Sequence, residues 1–105
     1  MIKSTRSLLV LAAVVALAGS LSFAQSGEAT YKAKCQSCHG ATGTPNPGIA
    51  KAMGVKPVSD PAVAKLSAAD MIKATADGKG KMPAFKGKLS DEQIKEVVTY
   101  FRTLK

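Results

Sequence analysis

The sequence predicts an all-α domain of about four short helices, and three observations lead there. Two Ser-x-x-(Asp/Gln) pairs, Ser67 with Asp70 and Ser90 with Gln93, have the spacing of helix-starting capping boxes. Apolar residues from Ile94 to Leu104 recur at steps of three and four. No stretch after the first two dozen residues alternates apolar with polar as a half-buried strand would, and Gly and Pro clusters separate the helical segments.

In chain order, the first segment is a targeting signal by layout. Lys3 and Arg6 precede an apolar run from Leu8 to Ala18, and Ser22-Phe23-Ala24 offers a small-residue exit. The run is shorter than the roughly 20 residues a spanning helix needs, and no cysteine follows it to take a lipid. The expectation is a signal peptide over 1–24, cleaved after Ala24, and a periplasmic or otherwise exported domain over 25–105. The alternative is an uncleaved Ile2–Phe23 segment that tethers the domain to a membrane.

Helix formers from Ser26 to Cys38 predict a first helix that ends near His39-Gly40. Gly43, Pro45, Pro47 and Gly48 make Ala41–Gly48 a loop, followed by a short helical turn over Ile49–Met53. A third helix starts at Ser67, closes at Gly78 and carries Ala68, Met71, Ile72 and Ala76 as its apolar residues. In the last helix Leu89 can staple onto Ile94, and Ile94, Val97, Val98, Phe101 and Leu104 form one stripe flanked by Tyr100.

A domain of this size is small for a self-sufficient core. Disulfides commonly supplement such cores, but Cys35 and Cys38, with two residues between them, would close a tiny strained ring. A bound cofactor is the more economical supplement. Fifteen basic against seven acidic residues give a formal net charge of +8, or +6 once Lys3 and Arg6 are removed. The lysines are scattered, with little aromatic interleaving and no tryptophan, so nucleic-acid binding is not expected. A solvated surface and a docking face for acidic partners both fit the charge.

The residues that carry chemistry are Cys35-Gln36-Ser37-Cys38-His39. Two thiols three positions apart near a helix end can each add to one vinyl group of the same haem, and the adjacent His39 is then delivered to the iron. This Cys-x-x-Cys-His pattern is the attachment motif for haem c. A redox dithiol would want a thioredoxin-like βαβ setting, and a zinc site a fourth ligand, and the sequence offers neither.

With these residues in place the chain resembles the small class I bacterial cytochromes c over nearly all of 25–105. Gly27 and Tyr31 stand where that family packs its first helix on its last, with Tyr100 and Phe101 as aromatic partners. Lys81-Met82-Pro83-Ala84-Phe85 resembles the family's distal-ligand loop, making Met82 the sixth iron ligand; Met71 and Met53 fit core or haem-wall packing. The resemblance also implies that a proline carbonyl, of Pro47 or Pro45, accepts a hydrogen bond from His39.

The implied fold is that of the class I cytochromes, about four helices wrapped around one covalently attached haem. The implied function is a soluble monohaem carrier, not an enzyme, that shuttles single electrons between exported or membrane redox partners. With His39 and Met82 both bound, the iron has no free position for a substrate. Partners with acidic docking surfaces, peripheral contact with membrane complexes and a monomeric state complete the expectation, with Lys79, Lys81, Lys86 and Lys88 as the docking face. A haem-based gas sensor or a haem module of a larger oxidoreductase complex are the rival functions.

Overall fold

A computed structural model describes residues 26–105; the expected signal peptide lies outside the described residues. Helix α1 covers 26–34, Cys35 forms a turn, and α2 follows at Gln36–His39. The expected first helix is thus two segments broken at Cys35, the first cysteine of the motif. Gly40 ends α2 with φ +82°, and a Cβ there would overlap the Thr44 carbonyl, so only glycine fits.

Helix α3, Pro47–Met53, begins two residues earlier than the sequence suggests, because the Asn46 side chain accepts a 2.8 Å bond from the Ile49 N–H and Pro47 takes the first helical position. Asp60 and Pro61 repeat that device to start α4, Pro61–Ala64, a single turn the sequence reading did not foresee. Helix α5, Ala68–Asp77, and helix α6, Asp91–Phe101, both open on complete capping boxes at Ser67 and Ser90, as expected. Among the described residues there is no strand, only isolated bridges in the 79–89 loops.

An eleven-residue helix is marginal alone, so α6 is held by what its stripe buries. Ile94, Val97 and Val98 are each at most 4 % exposed, and each such side chain contributes about 1.5–3 kcal/mol on burial. Leu89 and Ile94 share a cluster with Phe85, against which Ile72, Ala76 and Met82 pack. On the other side α1 crosses α6 at Gly27, where a Cβ would overlap the Glu96 carbonyl and press on Tyr100. One turn further on, Tyr31 is 1 % exposed and packs its ring 5.3 Å from Tyr100 and 6.2 Å from Phe101. The helices therefore close around a space rather than onto each other at every face.

Candidate functional site

That space is a cavity of about 890 Å³. Cys35, Cys38 and His39 reach it from α2 and the turn before it, and Met82 from the loop after α5. Its walls are largely apolar: Leu66 and Val63 near α4, Met71 and Ala74 from α5, Val97 and Phe101 from α6. Met53, at the end of α3, also lines it, so all three candidate methionines meet the same space. They differ in support: Met71 is buried on a helix and Met53 closes one, whereas Met82 alone stands in a loop.

Two local structures aim the ligand candidates. The Tyr31 hydroxyl donates a 2.6 Å bond to the Gly40 carbonyl, fixing the chain one residue past His39. Burial, with Cys35 and Tyr100 nearby, pushes the Tyr31 phenol up to about 12, so it stays a donor across the neutral range. The Phe101 ring meets His39 edge-on at 5.4 Å. Across the cavity, Lys79 and Met82 exchange backbone bonds of 3.1 and 3.0 Å in a tight turn with Gly80 at φ +59°. The Phe85 and Lys86 N–H groups then donate to the Thr75 and Ala76 carbonyls at 3.0 and 3.1 Å, seating the loop on α5.

The donor set fits a haem. Both cysteines are free thiols, and burial followed by the neighbouring Cys38 pushes the Cys35 thiol up to about 11. A reactive dithiol needs a lowered thiol pKa, so the redox-dithiol alternative is disfavoured. Burial lowers the His39 pKa, which favours the neutral imidazole a metal ion requires. His39 Nδ1 is enclosed without a hydrogen-bond partner, an unsatisfied polar atom beside an apolar space. Pro45 is buried in the loop after His39 and Pro47 is exposed at the start of α3; neither carbonyl takes the histidine's proton here.

Charge at the mouth is one-sided. Lys34, Lys51, Lys56, Lys79 and Lys81 all line the cavity and no carboxylate does. The sequence reading named Lys79 and Lys81 but missed the other three. Lys34 could have been found beside Cys35; Lys51 and Lys56 needed the path of α3 and the Gly54 turn. Lys86 and Lys88 do not line the cavity, and Lys88 Nζ lies 5.9 Å from the Phe85 ring centroid.

A helical shell around one large apolar cavity, lined by a Cys-x-x-Cys-His segment and a loop methionine, defines a haem-c protein. Comparison with known proteins agrees: residues 22–101 match the family model described as cytochrome c oxidase, cbb3-type, subunit III. The chain is also 36 % identical over 77 residues to cytochrome c6 of Leptolyngbya boryana, covering 73 % of this chain and 87 % of that one. The chain belongs to the cytochrome c family, as a small monohaem class I member that binds haem c covalently and carries electrons.

Proposed function

We propose that Cys35 and Cys38 hold the haem by thioether bonds, that His39 and Met82 are its axial ligands, and that the protein passes single electrons between redox proteins without catalysing turnover at the iron. The observation behind this reading is that one cavity is lined by both thiols, the imidazole and a loop methionine. The bound haem supplies an iron that cycles between ferric and ferrous states. Each thiol would add across a vinyl group, forming one S–C bond and giving its proton to the neighbouring carbon. His39 is oriented by the Tyr31–Gly40 bond and the Phe101 edge. Met82 offers a soft thioether, which favours the ferrous state, as does the apolar wall.

The five lysines at the mouth give an approaching acidic partner its orientation, and the encounter is small and brief. The same reading makes the protein a monomer, exported by a signal peptide over 1–24. Among the described residues no helix is long and apolar enough to cross a membrane.

Absorption spectra of the purified protein test the assignment. The ferric form should show the weak far-red band of a methionine sulfur on haem, and Met82→Ala should lose it. A ferrous form that binds carbon monoxide readily at neutral pH would instead indicate an open site and a sensor. Co-purification with partner subunits would make the chain a module of a larger complex.

A further inference from the structure

We infer that Lys81 is a positioning residue for Met82: its ammonium donates a hydrogen bond to the Ala52 carbonyl at the exposed edge of the cavity, tying the Met82 turn to the end of α3. This rests on the reading of Met82 as an axial ligand. The bond is 2.6 Å long and joins residues 29 apart in sequence. The backbone bonds that fix the Met82 turn, Gly78 to Ala74, Phe85 to Thr75 and Lys86 to Ala76, all run back to α5. None of them reaches α3. The Lys81 side chain does, and both it and Ala52 line the cavity.

The local chemistry explains why a lysine does this. Ala52 lies in the last turn of α3, where carbonyls have no partner within the helix and the helix end attracts a cation. Gly80 at φ +59°, followed by Lys81 at negative φ, forms a turn with glycine first, leaving the lysine second and its side chain free to extend. Lys79, two residues away with the same charge, uses only its backbone in the turn and makes no side-chain hydrogen bond. Lys79 thus contributes charge alone, and Lys81 contributes charge and a bridge.

The bond is exposed, so its contribution to overall stability is small. Its effect should fall on how often the Met82 turn lifts. The test uses the ferric holoprotein with imidazole as a competitor for the methionine's position, followed by loss of the far-red band. Lys81→Leu keeps an apolar stem, removes the donor and adds no new ligand; it should raise imidazole affinity and binding rate roughly three- to tenfold. Lys81→Arg should stay near the parent protein, and Lys79→Leu, which removes one charge and no bridge, should change little. Equal imidazole binding by Lys81→Leu and Lys79→Leu would overturn the inference. Absence of the far-red band from the parent protein would overturn the Met82 assignment and this inference together, and it would show before any substitution at position 81.

Discussion

The Cys35–His39 wall and the Met82 wall face the same cavity but are held by different means. The first stands on helices: α1 seats against α6 at Gly27, Tyr31 is sealed between Tyr100 and Phe101, and its hydroxyl pins Gly40. The second is a glycine-bounded loop held by backbone bonds, one exposed lysine and the burial of Phe85 and Leu89 against Ile94. Buried side chains serve both sides, Tyr31 the first and Phe85, Leu89 and Ile94 the second. The contrast teaches that, under the proposed assignment, attachment and tuning are separable here: the helical side positions the thiols and the histidine, while the loop presents the methionine.

The largest effect is expected from removing both thiols. Cys35→Ala with Cys38→Ala should leave no covalently attached haem, detected as loss of haem staining on a denaturing gel. Met82→Ala tests the other wall: covalent haem should persist while the far-red band disappears and the reduction potential falls, as voltammetry would show. Loss of covalent haem in Met82→Ala would contradict the division between the walls.

Substitutions in the fixed wall should act on stability. Gly27→Ala forces a methyl into the Glu96 carbonyl and should cost about 1–3 kcal/mol in denaturant unfolding, while leaving the far-red band in the folded fraction. Tyr31→Phe removes the donor to Gly40 and should cost about 1–2 kcal/mol. The same residue predicts an alkaline limit. Because folding raises its pKa from 10 to about 12, its contribution is intact below pH 10 and lost as pH rises through 12. Tyr31→Phe should flatten that part of the stability profile. The smallest effect belongs to Ser90→Ala, which loses the cap of α6 and should cost about 1 kcal/mol with no change in the haem spectrum.

The sequence made some of this legible because some signals are local. The boxes at Ser67 and Ser90 marked α5 and α6, and the Cys35–His39 motif names its own cofactor. Asn46-Pro47 and Asp60-Pro61 are equally local start signals: reading the first pair as loop shortens α3, and leaving the second pair unread misses α4. What no local pattern could disclose is which lysines share the mouth. Lys34, Lys51 and Lys56 come together only through the folded path, and Lys81 meets Ala52 across 29 residues.

The seat of Gly27 against Glu96 and Tyr100 has a consequence in time. Nearly the whole domain lies between those residues, so the first helix has nothing to dock on until the last has been made. During synthesis the cysteine segment that follows α1 therefore lacks its final packing until the chain is complete, and the meeting of the two ends closes the fold last.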